Sequence, residues 1–359
     1  MNAVRPHPGA EPQTARPWRR HTRTGVQSGW LLGDVANSRT AWLVLHGGPG
    51  SGASASLLNP FDPLHHFACA PHQQGSALIS PPIGNKPSVS QLIADLEALR
   101  LSWGLERWCV LGGSWGAYLA LAYLAQHPQA IDRMVLRGSF LAGLSDIWRH
   151  LNTVTGHLPA HQRPHPSPAG NRTWLLRMRR LLQSETTLLQ TRPEIIAWLL
   201  AENQRALAGL TRAAQIGRWA RPDQHVAARR LRGILNHDTR RLQAQQRMLQ
   251  PATQAQARKV QEQVRLLSTD LHGGLRRAMP KWKVRLSQDL NSGEPSRPVV
   301  QLLQGRWDRV CHPSNARRLH QLLSALSADS DTIRLIMVDS GHLATEPAMQ
   351  AALRQAIGD

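Results

Sequence analysis

The heptapeptide Val110-Leu111-Gly112-Gly113-Ser114-Trp115-Gly116 decides how this chain of 359 residues is read. An apolar run, Trp108 to Leu111, ends there in Gly-x-Ser-x-Gly, and a stretch rich in Ala and Leu, Ala117 to Leu124, follows before His127-Pro128. The order is strand, tight turn, helix. A turn that sharp forces its serine into a strained, exposed conformation at the top of a sheet. The flanking positions must then be almost free of side chain, which Gly112 and Gly116 supply. The pentapeptide also arises by chance, so its surroundings have to carry the reading.

They do so on both sides. Ala41 to Leu45 is a second short apolar run, and it leads into His46-Gly47-Gly48-Pro49-Gly50. A glycine-rich loop at that place can aim backbone N–H groups at the serine, as the oxyanion of acyl transfer requires. The expected donors are Trp115 N–H and Gly48 N–H, with Gly47 as the alternative, while His46 is read as a structural residue bonding its own loop. A serine hydroxyl is a weak nucleophile at neutral pH, so it needs a base and an acid to orient that base. Chains with this elbow carry them later, in the order Ser, Asp, His, each just after a strand. Val299 to Leu303 is followed by Gln304-Gly305-Arg306-Trp307-Asp308, and Ile333 to Val338 by Asp339-Ser340-Gly341-His342. Asp308 and His342 are therefore the expected acid and base.

Six segments, L-H-G-G-P-G-S-G (45–52), N-K-P-S-V-S-Q-L-I-A-D-L-E-A-L-R (85–100), G-G-S-W-G-A-Y-L-A-L-A-Y (112–123), L-R-G-S-F-L (136–141), G-R-W-D-R-V-C-H-P (305–313) and S-G-H (340–342), resemble the proline iminopeptidases, or prolyl aminopeptidases. These are serine peptidases of the α/β-hydrolase fold. The resemblance covers roughly residues 25–145 and 296–359. It implies a mostly parallel sheet with helices on both faces and an inserted helical cap, Ser114 as nucleophile, Asp308 and His342 as its partners, and Trp115 and Gly48 as oxyanion donors. The implied reaction is release of an N-terminal residue, preferably proline, through an acyl-enzyme. An esterase, lactonase or small-amide hydrolase using the same machinery is the alternative.

The resemblance also implies a substrate pocket. Phe140, Trp148 and Cys311 match positions that hold a prolyl ring, and Glu202, in A-W-L-L-A-E (197–202), matches a glutamate that binds the substrate's α-amino group. A second such glutamate falls at Leu235, in I-L-N-H (234–237), so one anchor is replaced. The family's D-Q-R-G-x-G-x-S is replaced as well, by His72-Gln73-Gln74-Gly75-Ser76-Ala77-Leu78-Ile79-Ser80. The missing Asp and Arg brace the loop beside the site, so their loss bears on rigidity more than on chemistry.

Breakers set the domain boundaries. Prolines 159, 164, 166 and 168, and N-S-G-E-P-S-R-P (291–298), flank an interval of helical pattern. There Trp174, Met178 and Leu181, and Val260, Val264, Leu267 and Leu271, recur as core stripes. Residues 145–295 thus read as a helical cap, 25–144 and 296–359 as the two parts of the core, and 1–24 as a disordered basic tail lacking the apolar region of a signal peptide. The formal net charge is +20, of which residues 145–295 carry 25 basic against 10 acidic side chains, or +15. The arginines are interspersed with Gln and Ala, without aromatic interleaving. That favours a solvated face over a nucleic-acid reader and disfavours cationic substrates. Three scattered cysteines, Cys69, Cys109 and Cys311, suit reduced thiols in a cytoplasm and no metal site. No cofactor and no membrane span are expected; the expected partner is a small peptide or amide substrate.

Overall fold

The computed structural model of the protein describes residues 14–358 apart from 23–24, 77–86, 142–143, 166, 183–191, 217–220, 249, 271–297 and 327–331. The apolar runs form β3 (Thr40–Leu45), β4 (His66–Pro71), β5 (Trp108–Gly113), β6 (Ile131–Arg137), β7 (Val299–Gly305) and β8 (Ile333–Val338). Before them come β1 (Arg16–Thr22) and β2 (Gly25–Leu32), completing a sheet of order β1-β2-β4-β3-β5-β6-β7-β8. The pairs β1–β2 and β2–β4 are antiparallel and the rest parallel.

Near-continuous apolar strands are what a sheet covered on both faces demands. Leu43, Leu45, Val110 and Leu136 point into one core with the helices α1 (Val89–Ser102) and α2 (Trp115–Gln126). Trp42, Val44, Leu111 and Val135 point into the opposite core with Met349 and Leu353 of the C-terminal helix, Pro347–Gly358. The strand order reverses at β3, since β4 lies on one side of it and β5 on the other. Ligand crevices in open α/β sheets form at such a point, outside the carboxyl ends of the strands. The loops after β3 and β5 are those that carry His46–Gly50 and Ser114.

The expected tail is partly wrong. Residues 1–13 lie outside the described residues, but Arg16–Thr22 pairs along its whole length with Gly25–Leu32. Trp18 meets Trp103 edge-on at 6.4 Å. A strand reading R-P-W-R-R-H-T shows no apolar period; its partner strand and that indole contact impose the conformation.

The cap is helical, as expected. It comprises α3 (Leu144–Gly156), α4 (Pro168–Leu181), α5 (Arg192–Ile216), α6 (Pro222–Arg247) and α7 (Gln254–Asp270), with a core of its own. Trp174, Met178, Val260, Val264 and Leu267 are buried in that core. The stripe on α4 continues to Leu182, not Leu181, because steps of four follow the helix face more closely than steps of three. Leu271 lies outside the described residues.

The cap meets the sheet through α7. A Cβ built on Gly50 would lie 3.0 Å from both Glu262 Cβ and Lys259 O, so only glycine lets the helix rest on the loop after β3.

Candidate active site

Ser114 sits between β5 and α2 with φ 55° and ψ −116°, and among the described residues it is the one non-glycine with positive φ. The strain is held by the packing of its neighbours. A Cβ on Gly116 would lie 2.2 Å from Leu45 O, and one on Gly112 would lie 2.5 Å from Gly116 O. Helix α2 therefore begins hard against the end of β3, which fixes the serine next to the glycine-rich loop. Trp115 is the first residue of α2, where N–H groups have no partner within the helix. Gly48 lines the same cavity as Ser114, and among the described residues neither Trp115 N–H nor Gly48 N–H is spent on another protein group. Gly47 lies closer: a Cβ there would meet Ser114 Cβ at 3.1 Å.

Asp308 and His342 come together from the loops after β7 and β8. His342 Nδ1–H donates to Asp308 Oδ2 at 2.8 Å, and Asp308 Oδ1 accepts from Val310 N–H and Cys311 N–H, each at 2.8 Å. Asp308 is buried, whereas the His342 side chain keeps 12% of its surface. Among the described residues His342 Nε2 has no hydrogen-bond partner. The partner of Ser114 Oγ is the Cys311 thiol, at 3.6 Å. The Asp308–His342 pair is thus formed, and the serine hydroxyl is turned toward the thiol. Burial and nearby Asp308 push that thiol well above its usual pKa, so it is a neutral neighbour.

Three groups that the sequence reading passed over hold this geometry. Gln73, in the replaced D-Q-R-G segment, donates to His46 O (3.0 Å), accepts from Trp115 Nε1–H (3.1 Å) and offers its backbone N–H to His46 Nε2 (3.2 Å). One side chain therefore braces both the glycine-rich loop after β3 and the residue after Ser114. His46 also bonds Gly47 O, and burial lowers its pKa to about 4, which keeps the ring neutral and structural as expected. Arg137, buried at the end of β6, donates to His342 O. Glu346 accepts from Gly341 N–H (2.6 Å) and Leu343 N–H (2.9 Å), clamping the turn on both sides of His342.

Burial raises the Glu346 pKa to about 7 from an ordinary 4.5. The folded state then holds a proton that the unfolded chain releases, so this group's stabilisation is full below pH 4.5 and is lost as pH rises through about 7. The shift corresponds to about 3 kcal/mol across that window. Urea unfolding at pH 5 and pH 8 should show the loss in the parent chain and a much smaller one in Glu346→Gln. Equal slopes would refute the assignment.

The cavity beside Ser114, of about 90 Å³, runs between the core and the cap. Phe140 and Cys311 line it, together with Trp198, Ile147 and Leu267. Trp148 does not: it packs on the cap core, and Ile147 and His150 of α3 face the cavity instead. One residue along a helix is a rotation of about 100°, enough to move a side chain from one surface to the other.

Glu202 does line the cavity, but it already has partners. Lys259 Nζ lies 2.7 Å from its Oε2, and Gln263 Nε2–H donates to its Oε1 at 2.7 Å. Burial works to raise its pKa, yet the Lys259 ammonium and the hydrogen bonds from Lys259 and Gln263 hold it below the ordinary range. Leu235 packs against the Leu210 cluster between α5 and α6, away from the cavity. Arg205 of α5, also at the cavity, donates to Arg309 O (2.6 Å), Val310 O (2.8 Å) and His150 Nδ1 (3.3 Å), which ties the cap to the loop bearing Asp308. Burial lowers the His150 pKa to about 4, leaving a neutral ring that can accept from the guanidinium. Among the described residues no group of three His, Cys, Asp or Glu could hold a metal ion, and no helix is long and apolar enough to cross a membrane.

The chain is similar to proteins already known. The proline iminopeptidase of Xylella fastidiosa is 40% identical over 100 residues, 28% of this chain and 32% of that protein. The proline iminopeptidase of Neisseria meningitidis is 38% identical over 116 residues, 32% and 37% of the two chains. The chain thus spans well under half the length of these curated relatives. Among solved structures, a proline iminopeptidase-related protein of Thermus thermophilus superposes with TM-score 0.54 at 18% identity, covering 96% of this chain and 98% of that one. A haloalkane dehalogenase variant of Bradyrhizobium elkanii gives 0.54 at 16%, covering 96% and 95%, a likeness of fold alone. The family described as alpha/beta hydrolase fold matches residues 41–347, spanning the elbow, the cap and the acid–base pair, and the chain belongs to that family.

Proposed function

We propose that this chain is a serine hydrolase that releases an N-terminal residue, preferably proline, from peptides or amides through an acyl-enzyme. The observation that carries it is the Asp308–His342 pair, with its imidazole Nε2 unpartnered, in the same site as a strained Ser114 that opens on a cavity holding a carboxylate. In this reading Ser114 Oγ turns from the Cys311 thiol to His342 Nε2, gives up its proton there and attacks the scissile carbonyl. Trp115 N–H and Gly48 N–H take the oxyanion. His342 then passes the proton to the leaving amine, and water, deprotonated by the same ring, hydrolyses the ester and restores the serine. Asp308 stays ionised and holds Nδ1–H. Phe140, Cys311 and Trp198 pack on the acyl side chain, and Glu202 holds the α-amino group.

A second reading has its own support. Lys259 neutralises Glu202 and Leu235 stands apart from the cavity, so a site with this charge balance also suits an uncharged acyl group, as in an esterase, lactonase or amide hydrolase. Turnover of prolyl β-naphthylamide and p-nitrophenyl acetate separates the two. We expect kcat/KM for the prolyl substrate to exceed that for its N-acetylated form by at least about 100-fold, the discrimination a buried polar contact gives. Comparable turnover of both, or turnover of the ester alone, would establish the second reading.

A further inference from the structure

Gln263 lies on α7, is 3% exposed and lines the cavity beside Ser114. Its orientation is fixed by chemistry. A carboxylate only accepts, so the amide NH₂ must face Glu202 Oε1, and the carbonyl Oε1 is left on the other side. That Oε1 is buried and has no donor among the described residues. Buried acceptors are paired in nearly all native structures, because an unpaired one forfeits its hydration without return. Asp146, which also lines the cavity, keeps a second buried acceptor, Oδ2, without a donor. Beside the unpaired donor Trp198 Nε1–H, the cavity therefore presents two unpaired acceptors, and these call for a ligand that brings N–H groups.

The position of Gln263 says which N–H. Its amide nitrogen lies 3.6 Å from where a Cβ on Gly48 would be, so the side chain rests against the oxyanion loop. In the proposed mechanism a ligand's carbonyl oxygen enters that loop, which brings its acyl part beside Gln263. We infer that Gln263 is a specificity-determining residue of the acyl subsite, its Oε1 accepting an N–H from the α-amino or imino group of the substrate's first residue. This rests on the aminopeptidase reading and supplies the acceptor that Leu235 does not. Glu202 and Gln263 form one unit: the carboxylate orients the amide, and the amide takes the N–H while Lys259 balances the carboxylate.

Binding to the full chain carrying Ser114→Ala, measured by calorimetry, tests this without turnover. Prolinamide has N–H on its ring nitrogen; N-acetylprolinamide has none there but keeps the carboxamide and the ring. Gln263→Met, which conserves length and removes the acceptor, should weaken prolinamide about tenfold or more and change N-acetylprolinamide less than about twofold. The inference is overturned if Gln263→Met leaves prolinamide binding within twofold, if both ligands weaken in parallel, or if prolinamide does not bind the parent. Should the binding pattern hold while prolyl β-naphthylamide is not cleaved by the chain with Ser114, the subsite stands and the proposed reaction fails.

Discussion

Ser114→Ala should lower kcat by about 10⁵ to 10⁶ on any substrate the chain turns over, while leaving its stability within about 0.5 kcal/mol of the parent. Both halves follow from the elbow. Ala has the same Cβ as Ser, so the strain of φ 55° is unchanged, and the contacts of Gly112 and Gly116 with the surrounding backbone are untouched. The Ser114 side chain makes no capping bond to α2, so helix initiation loses nothing. What disappears is one weak contact with the Cys311 thiol and the only oxygen that can form the acyl-enzyme in the proposed mechanism. The oxyanion donors remain, and their residual effect over water is about 10³ to 10⁴. Steady-state rates together with urea midpoints check the prediction. A loss of less than tenfold would mean that another group attacks the carbonyl.

Asp308→Asn should cost about 10⁴ in kcat with the fold again intact. Asp308 Oδ1 accepts two backbone N–H groups, from Val310 and Cys311, and Asn can keep both through its single oxygen. Its NH₂ must then turn to the other side, toward His342 Nδ1, where Gln304 Nε2 lies 3.4 Å from the present carboxylate oxygen. A donor facing Nδ1 selects the tautomer with the proton on Nε2, and that nitrogen can no longer take a proton from serine. The loss should be relieved at high pH only slightly, because the fault is the tautomer and not the protonation state. An unchanged rate would show that His342 takes its orientation from elsewhere, with Arg137 at its carbonyl and Glu346 around its turn as the remaining supports.

The elbow was legible because its constraints are local. Two glycines, each two residues from a serine, between a strand and a helix, report close backbone packing whatever side chains the neighbouring strands carry. Asp308 and His342 were legible for a related reason, since each stands at the carboxyl end of a parallel strand, and parallel register brings all such ends to one edge. Of the polar side of the cavity only Glu202 was legible, through the resemblance. Asp146, His150, Glu202, Arg205 and Gln263 come from three cap helices, and their meeting depends on how α3, α5 and α7 are rotated about their axes. A shift of one residue on α3 separates Ile147, at the cavity, from Trp148, outside it. Gln73 was hidden differently: the sequence signalled a lost Asp and Arg, and only the three bonds made by the residue between them show that the brace persists. The first strand escaped because its partner, not its composition, makes it extended.

The seating of α7 on Gly50 has a consequence for how such a molecule can change. Side chain and main chain there mesh without slack: Lys259 O and Glu262 Cβ stand 3.0 Å from a methyl group that glycine does not have. The same helix carries Gln263 and Lys259, and the same loop carries Gly48. In the proposed mechanism substrate preference and catalytic readiness are therefore two sides of a single joint, and a lid transplanted from another protein would disturb the machinery below unless the loop beneath it were recut to match.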